Sequence, residues 1–370
     1  MKADYVMVGG FLGAGKTTAL LRFAEYLSAR GRRVGLITND QSSGLVDTAL
    51  VDAHGYPVEE ITGGCFCCRF NTLTAAAERL SDAAKPDVFL AEPVGSCTDL
   101  RASVQYPLRR MYGDDYRIAP LSVLVDPIRA LRVLGIEPGK SFSSKVLYVY
   151  GKQLEEADII VINKSDLLTS DRQAALADAL RTKYPAAEVF LVSARAGTGV
   201  ESWFDRVAST DTGTQEAPGV DYDLYAEGEA LLGWFNGTFH VSSAGHFDGN
   251  AFLSAFAHDV NARLCSGRPE VAHFKMVLTP DDDAGDIAVL NLVGSDREAE
   301  QSHRLQDYLQ SGELIVNLRA EADPELLRAA VVETLADVAL RADAKVEALH
   351  TEHFRPARPV PTYRMAFGER

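Results

Sequence analysis

Short apolar runs alternate with amphipathic stretches along the first two hundred residues. In the amphipathic stretches apolar positions recur every three or four residues, as from Thr18 to Leu27, which is typical of helices with one buried face. The apolar runs are near-continuous, as expected for strands buried on both faces of a sheet. They are Tyr5–Val8, Val34–Thr38, Val88–Ala91, Leu121–Val125, Ile159–Ile162 and Val189–Val192. This alternation predicts an α/β domain with a mostly parallel sheet covered by helices.

The pattern changes after residues 209–223, a polar segment rich in Thr, Gly and Pro. The runs beyond it predict a smaller α+β domain with a largely antiparallel sheet. They comprise strands Ala230–Val241, Val271–Leu278, Ile287–Val293 and Glu313–Arg319, and helices Asn250–Leu264 and Pro324–Leu340. We therefore predict domains at 1–208 and 224–370 joined by a linker at 209–223. The proline-rich segment Phe354–Tyr363 is expected to be extended and to pack on the surface or on a partner.

One glycine-rich turn carries the most specific motif in the chain. Residues 10–17 read GFLGAGKT and fit G-x-x-x-x-G-K-[ST], between the first predicted strand and the first predicted helix. In that setting backbone N–H groups bind nucleotide phosphates, Lys16 supplies a catalytic charge at the β and γ phosphates, and the Thr17 hydroxyl binds Mg²⁺. The first domain is therefore predicted to be a P-loop NTPase. Its predicted phosphate-binding residues are Gly10, Gly13, Ala14, Gly15, Lys16, Thr17 and Thr18.

Two carboxylates follow predicted strands and are placed to bind the Mg²⁺ of the nucleotide. Glu92 ends the third strand in the sequence EPVG, and Asp40 directly follows the second strand. Ligands of parallel sheets gather at the carboxyl ends of the strands. We therefore expect Thr17, Asp40 and Glu92 around Mg²⁺, and we expect Glu92 to serve catalysis. Gly95 would let a backbone N–H group approach the γ-phosphate.

A second nucleotide motif, NKSD at residues 163–166, follows the fifth predicted strand. It resembles the N-K-x-D element by which GTPases read guanine. In that element a carboxylate accepts hydrogen bonds from the N1–H and 2-amino groups, which adenine cannot supply. Asp166 also fits as a carboxylate at a helix N-terminus, and both roles can hold together. The sequence favours guanine over adenine, with the base contacted by Asn163, Lys164, Asp166, Ser193 and Ala194.

Three of the five cysteines crowd into the sequence GGCFCC, as Cys65, Cys67 and Cys68. Three thiols in four residues cannot point one way from a helix or strand, whereas a loop can present them together to Zn²⁺ or Co²⁺. Small buried apolar residues are the alternative, but the crowding after two glycines favours a metal site. For Cys97 we expect packing rather than a role as a fourth thiolate. His350 and His353 are expected to be solvated, and a metal-binding role for His54 is left open.

Composition limits the partners of the chain. Its formal net charge of −15 argues against nucleic acid or an anionic membrane as the main partner. No apolar run approaches the ~18 residues of a membrane span. Because the phosphate-binding motif begins at residue 10, we expect no signal peptide and a cytoplasmic protein with reduced cysteines. Crowded cysteines in a reducing compartment indicate metal or redox chemistry rather than disulfides.

Taken together, the motifs resemble those of the CobW-type metal-chaperone GTPases, relatives of HypB, UreG and MeaB. The resemblance rests on GFLGAGKTT (10–18), Asn39 and Asp40 with Asp47, GGCFCC (63–68), EPVG (92–95) and NKSD (163–166). It implies GTP hydrolysis with Mg²⁺, binding of Zn²⁺ or Co²⁺ by the three crowded thiols, and delivery of that ion to a client metalloprotein. The chain departs from the usual family pattern after Asp40, and it lacks a His-rich stretch.

Other functions stay open at this point. The protein could help to load cobalamin or another cofactor into a client enzyme, or its thiolates could form a purely structural zinc site. A small-molecule phosphotransferase would leave NKSD and GGCFCC without a role. The sequence names no client, and thiolate chemistry alone does not choose among Zn²⁺, Co²⁺ and Fe²⁺. A homodimer that depends on nucleotide or metal is a further expectation.

Overall fold

The computed structural model describes residues 2–39, 46, 55–209, 216–265, 269–282 and 285–366. The chain divides into two compact units. The first consists of Met1–Ser43, His54–Gly228 and Arg358–Arg370, and the second of Gly44–Ala53 and Glu229–Ala357. Within the described residues, no helix combines the length and apolar character needed to cross a membrane.

A parallel sheet of eight strands forms the centre of the first unit. Its strands are β1 (Ala3–Gly10), β2 (Val34–Asn39), β3 (Val58–Ile61), β4 (Val88–Glu92), β5 (Tyr116–Ile118), β6 (Ser122–Val125), β7 (Ile159–Ile162) and β8 (Glu188–Leu191). They lie in the order β3-β2-β4-β1-β6-β7-β8, and β5 also pairs with β1. All pairings are parallel, so the carboxyl ends of β1, β2, β3 and β4 meet at one edge of the sheet.

Helices lie between the strands of this sheet and after its last strand along the chain. They are α1 (Lys16–Ser28), α2 (Phe70–Ala84), α3 (Tyr106–Tyr112), α4 (Pro127–Val133), α5 (Ser144–Glu155), α6 (Ser170–Lys183), α7 (Val200–Ser209) and α8 (Tyr222–Leu231). Aromatic packing joins the first and seventh of them, because the Phe23 ring stacks on the Phe204 ring with centroids 4.1 Å apart. This contact fixes the helix that follows the phosphate-binding turn.

The predicted α/β fold is confirmed, and each of the six predicted strands corresponds to a strand of the sheet. The prediction omitted β3 and β5. The first of these reads Val58-Glu59-Glu60-Ile61 and lies at the sheet edge, where two half-buried glutamates hide the apolar pattern. The second has three residues, which is too short to show a period.

An antiparallel sheet of six strands forms the second unit. Its strands are β9 (Gly233–Phe247), β10 (Val271–Pro280), β11 (Ala288–Leu292), β12 (Glu300–His303), β13 (Leu309–Ala320) and β14 (Ala344–Phe354), in the order β12-β11-β10-β13-β9-β14. Two helices, α9 (Gly249–Cys265) and α10 (Pro324–Arg341), bury apolar side chains such as Phe256 and Leu335 in its core. The predicted α+β domain is confirmed. The omitted β12 and β14 are edge strands with mostly exposed or half-buried residues.

The grouping of the chain differs from the predicted boundaries in three places, the first of which is Gly44–Ala53, grouped with the second unit. Helix α8 covers the end of the predicted linker and belongs mainly to the first unit, where the Tyr225 hydroxyl accepts a hydrogen bond from the Thr98 N–H group at 3.2 Å. The predicted second domain also included the segment from Arg358 onward, which returns to the first unit. The proline-rich segment after β14, which was expected to be extended, contains no helix or strand in its described part.

Candidate functional site

The turn between β1 and α1 has the geometry of a phosphate-binding loop. We call residues 10–17 the phosphate loop. Gly15 has φ +85° and immediately precedes Lys16, the first residue of α1. Any other residue would be strained at this backbone angle, and its Cβ would lie 2.6 Å from the Asn163 Nδ2 atom. The first N–H groups of a helix have no partner within the helix, so the start of α1 is suited to bind an anion.

Three side chains bind consecutive carbonyl oxygens of the phosphate loop. Arg129 donates to the oxygen of Leu12, Lys164 Nζ donates to that of Gly13 at 2.8 Å, and Asn163 Nδ2 donates to that of Ala14 at 2.9 Å. In a trans peptide the carbonyl and the next N–H group point in opposite directions. The three donors therefore hold the loop by its carbonyl side and turn the N–H groups of residues 13 and 15 the other way.

Lys16, Thr17 and Glu92 come together at the start of α1. Thr17 Oγ1 donates to Glu92 Oε1 at 3.2 Å, and Lys16 Nζ lies 3.6 Å from the same oxygen. Both charged side chains are more than nine-tenths buried. Gly95 lies against Lys16, because a Cβ at position 95 would be 3.0 Å from Lys16 Nζ. Thr18 is exposed in the first turn of the helix, and Asp40 lies outside the described residues.

In the NKSD segment, Asn163 and Lys164 bind the phosphate loop, whereas Asp166 is exposed. Asn163 Oδ1 accepts a hydrogen bond from the Ala194 N–H group at 3.1 Å, so its amide joins the phosphate loop to the segment after β8. Lys164 also pairs with the buried Asp126 at 3.1 Å. Asp166 is exposed in the 3-10 turn that follows β7. The Ser193 hydroxyl accepts from the Ala196 N–H group at 3.2 Å.

Asp126 and Arg129 support the phosphate loop and were missed by the sequence reasoning. Asp126 directly follows β6, caps α4 by accepting from the Arg129 N–H group at 3.1 Å, and pairs with Lys164. An aspartate before a proline at the end of an apolar run is a helix-capping signal, and its place at the carboxyl edge of the sheet could have identified it.

The three crowded thiols converge in the loop between β3 and α2. We call residues 62–69 the cysteine loop. The Sγ atom of Cys65 lies 2.8 Å from that of Cys67 and 3.2 Å from that of Cys68, and the last two are 3.7 Å apart. Cys65 and Cys67 are buried and Cys68 is half-buried. Within the described residues, this is the group of cysteines, histidines and carboxylates close enough together to hold a metal ion.

The cysteine loop is fixed to the end of β2. Asn39 Nδ2 donates to the carbonyl oxygens of Ile61 at 2.9 Å and Gly64 at 2.7 Å. The Arg69 guanidinium closes the other side of the turn by donating to the Gly63 oxygen at 3.1 Å. A bend of this kind, followed by the first turn of a helix, allows side chains close in sequence to point to a common centre.

Hydrogen bonds among the thiols shift the pKa values of the three cysteines in this loop. Donation from Cys67, Cys68 and Cys97 holds the pKa of the Cys65 thiol well below its usual value. The pKa of Cys67 is raised, because its thiol donates to Cys65 and is buried. Donation to Cys65 raises the pKa of Cys68 to about 11. Cys65 is therefore the thiol that ionises first, stabilised by its neighbours.

A segment near the end of the chain, Arg358–Met365, covers the cysteine loop. We call it the tail segment. The Thr362 N–H group donates to the Cys67 carbonyl oxygen at 2.8 Å, and its hydroxyl donates to that of Cys68 at 3.0 Å. The Val360 N–H group donates directly to Cys68 Sγ at 3.2 Å. The tail segment thus binds both the backbone and one thiol of the candidate metal site.

Two further contacts anchor the tail segment beside the loop. The Tyr363 ring meets the Phe70 ring edge to face, with centroids 5.3 Å apart. The Arg364 guanidinium donates to the fully buried Asp99 carboxylate at 2.8 Å. His350 and His353 lie instead on β14 of the second unit, where His353 Nε2 is 2.7 Å from Glu325 Oε1 and His350 is exposed. His54 lies outside the described residues.

Residues 4–191, just over half of the chain, match the family described as CobW/HypB/UreG, nucleotide-binding domain. The chain therefore belongs to this family, and the resemblance inferred from the motifs is confirmed. The match includes the phosphate loop, the cysteine loop, Glu92 and the NKSD segment.

Named relatives are similar to about half of the chain. The zinc chaperone CobW of a Sinorhizobium species is 28% identical over 206 residues, covering 49% of this chain and 56% of the relative. The zinc chaperone YeiR of Escherichia coli (strain K12) is 31% identical over 176 residues, covering 46% and 49%. The chain thus spans about half the length of these relatives. A nickel complex of HypB from Helicobacter pylori is 19% identical with a TM-score of 0.41, covering 55% of this chain and 84% of that one.

Proposed function

We propose that the protein hydrolyses GTP and uses the nucleotide cycle to capture and release a divalent transition metal ion for a client metalloprotein. Zn²⁺ or Co²⁺ would be the cargo, bound by Cys65, Cys67 and Cys68. The observation that carries the proposal is the convergence of these thiols within 3.7 Å, in a loop at the same edge of the sheet as the phosphate loop. Two relatives named as zinc chaperones support the assignment.

The phosphate loop and its neighbours support GTP hydrolysis. Thr17 and Glu92 supply hard oxygen atoms, which Mg²⁺ prefers, and Asp40 is proposed as a further ligand. Mg²⁺ bound there would offset charge on the β and γ phosphates. Lys16 would stabilise the same charge as water attacks the γ-phosphorus and the bond to the β–γ bridging oxygen breaks, giving GDP and phosphate.

The exposed Asp166 carboxylate supports selection of guanine. Its two oxygens can accept from the N1–H and 2-amino groups, whereas adenine presents no such pair of donors. Asn163 and Lys164 already bind the phosphate loop, at 2.9 and 2.8 Å. We therefore assign them mainly to positioning this loop, and Asp166 to recognition of the base, beside Ser193 and Ala194.

The order of the strands supports coupling between the two loops. The cysteine loop follows β3 and the phosphate loop follows β1, with β2 and β4 between them. Three strand spacings separate the two loops by roughly 14 Å. The ends of the intervening strands contact one loop each, because Asn39 binds the cysteine loop and Glu92 contacts Lys16 and Thr17. The adjacent strands β2 and β4 therefore link the two loops, because the end of β2 contacts the cysteine loop and the end of β4 contacts Lys16 and Thr17.

The experiment that tests the proposal compares metal affinity in two nucleotide states. Zn²⁺ and Co²⁺ affinities are measured by chelator competition in GDP and in a non-hydrolysable GTP analogue. We expect them to differ by about 5- to 150-fold, a usual range for coupled sites. By linkage, the ion must change the affinity for the analogue, relative to GDP, by the same factor. Equal affinities in both states would rule out the carrier function and leave a structural zinc site.

A further inference from the structure

The tail segment lies over the most accessible thiol of the candidate metal site. Cys65 and Cys67 are 6% and 1% exposed, whereas Cys68 is half-buried. An ion that enters from solvent therefore meets Cys68 first. The Val360 N–H group donates to the sulfur of this residue at 3.2 Å and, as a donor, cannot bind a cation. The tail segment thus stands in the way of the thiol that an incoming ion or a client must reach.

The bonds between the tail segment and the cysteine loop lie at the surface. Besides the Val360 contact, the Thr362 N–H and hydroxyl groups donate to the carbonyl oxygens of Cys67 and Cys68 at 2.8 and 3.0 Å. Val360 is 69% exposed, and Thr362 is exposed as well. Release of this part of the tail segment uncovers little apolar surface, which is typical of elements that open while the rest of the fold stays intact.

An ion pair anchors the tail segment beyond these bonds. Arg364 Nε donates to Asp99 Oδ2 at 2.8 Å, and the Asp99 side chain is fully buried. The Tyr222 hydroxyl donates to the same carboxylate oxygen at 2.6 Å. The next residue of the tail segment, Met365, donates its N–H group to the Ala102 carbonyl oxygen at 2.9 Å. Asp99 is therefore a buried anchor for an otherwise exposed segment.

The anchor belongs to a stretch of chain that also contacts the nucleotide site. This stretch begins at Glu92, whose Oε1 atom lies 3.6 Å from Lys16 Nζ, and it ends at Asp99. Between these ends, a Cβ at Gly95 would be 3.0 Å from Lys16 Nζ, and the Gly95 carbonyl oxygen accepts from the buried Gln153 side chain at 3.0 Å. Eight consecutive residues, 92–99, thus join the proposed phosphate contacts to the residue that holds the tail segment.

We propose that the tail segment is a cover on the metal site that opens when the γ-phosphate is lost. This inference rests on the proposed metal-carrier function. With GTP bound, contacts of the γ-phosphate with Lys16 and Gly95 hold the stretch that ends at Asp99, and Arg364 keeps the cover closed over Cys68. Loss of the γ-phosphate frees this stretch, the anchor moves, and the surface bonds of the tail segment break. A client can then reach the ion.

The test measures how fast the Cys68 thiol reacts in the metal-free full chain. Alkylation by iodoacetamide is followed at each cysteine by mass spectrometry, with Mg²⁺ and either GDP or a non-hydrolysable GTP analogue. We expect wild-type Cys68 to react at least about 5-fold faster with GDP, the lower end of usual coupling between sites. Arg364→Ala should react about 10-fold faster than wild type with the analogue, because it removes a hydrogen bond to a buried charge. Arg355→Ala, at an exposed arginine outside the tail segment, is the control.

A second variant removes one hydrogen bond of the cover. Val360→Pro deletes the N–H group that donates to Cys68, and position 360 already precedes a proline, which favours the extended backbone that proline adopts. Its matched control, Val360→Ala, keeps the N–H group. With the GTP analogue, Cys68 should react about 5-fold faster in the proline variant and at the wild-type rate in the alanine variant. Because an N–H donor stabilises a thiolate, its loss slows the chemistry of the thiol itself, so a faster reaction reports access.

The outcomes separate this inference from the function on which it rests, since alkylation is measured without metal. Equal Cys68 rates in wild type, Arg364→Ala and Val360→Pro would overturn the cover and leave the carrier intact. Faster rates in both variants, with equal rates in the two nucleotide states of wild type, would overturn opening by loss of the γ-phosphate. Nucleotide-dependent Cys68 rates with equal Zn²⁺ affinities would support the cover and overturn the carrier function. GDP affinity reports folding, and if Arg364→Ala loses it, Val360→Pro and Val360→Ala decide the question.

Discussion

The phosphate loop and the cysteine loop are both glycine-containing turns at the carboxyl ends of strands in one sheet, yet they offer opposite chemistry. In the phosphate loop the backbone is the proposed binding surface, and side chains from other segments hold it by the carbonyl oxygens of residues 12–14. In the cysteine loop the side chains are the proposed binding surface, and Asn39 and Thr362 hold the backbone. One loop suits hard phosphate oxygens, and the other suits a soft metal ion.

The difference teaches where each loop is sensitive. A loop that binds through N–H groups depends on its backbone shape and on distant donors such as Asn163. A loop that binds through thiols depends on their number and protonation. The two sites should therefore respond differently to pH and to substitution, and four experiments compare them directly.

The largest difference between the two loops is expected in how their ligand affinities change between pH 6 and 8. The pKa of Cys67 is raised and that of Cys68 is about 11, so both thiols hold protons in this range. Zn²⁺ must displace these protons, and its affinity should fall as the pH falls, by about 100-fold per pH unit for two protons. GDP affinity should change far less, because backbone N–H groups do not titrate. Chelator competition and nucleotide titration at several pH values measure both, and a flat Zn²⁺ profile would exclude a thiolate site.

Lys16→Ala should abolish GTP hydrolysis. Removing one preorganised charge from the transition state costs about 10²- to 10³-fold in rate. Phosphate release in single-turnover assays measures the loss, and Zn²⁺ affinity in the nucleotide-free protein should be unchanged. Lys345→Ala, on an exposed position of β14, is the matched control. Hydrolysis that persists in the Lys16 variant would show that another group supplies this charge.

Cys67→Ser should show the reverse of the Lys16→Ala pattern, with weaker Zn²⁺ binding and unchanged nucleotide binding. A hydroxyl is a poor substitute for a thiolate toward a soft ion, so Zn²⁺ affinity should fall about 100-fold. GDP affinity should stay at the wild-type value, as in the control Cys265→Ser. Isothermal titration of both ligands provides the comparison. Equal losses of Zn²⁺ and GDP affinity would mean that the substitution disturbs the fold rather than the metal site.

Asp166→Asn should give the smallest of the four effects. Hydrogen bonds to a charged group contribute about 1.5–3 kcal/mol, so GTP affinity should fall about 10- to 100-fold. ATP affinity should be unaffected, so the ratio of GTP affinity to ATP affinity should fall. Asp171→Asn, an exposed carboxylate in the first turn of α6, controls for the loss of charge. An unchanged GTP preference would remove Asp166 from base recognition.

The sequence predicted the parts of this site that depend on short motifs. The phosphate loop, the convergence of three thiols and the six apolar strands are each encoded within a few consecutive residues. The bonds from Asn163 and Lys164 to the phosphate loop join positions about 150 apart, and no local pattern reports them. The motif predicted both residues at the base and gave no sign of their bonds to the phosphate loop.

The same limit applies to the tail segment. Prolines predicted an extended tail, since proline favours extended backbone, and residues 355–366 contain no helix or strand. They could not predict its docking site, because the contact pairs an ordinary backbone N–H group of Val360 with the Cys68 thiol.

The covering of the cysteine loop also has a consequence for synthesis. Val360 follows Cys68 by 292 positions, so the ribosome makes the cover long after the thiols. At about 5–20 residues per second this delay lasts roughly 15–60 s. Throughout that interval the nascent chain presents three clustered cysteines without the tail segment, open to oxidants and to any available metal ion. Translation is thus the period when these thiols are least protected.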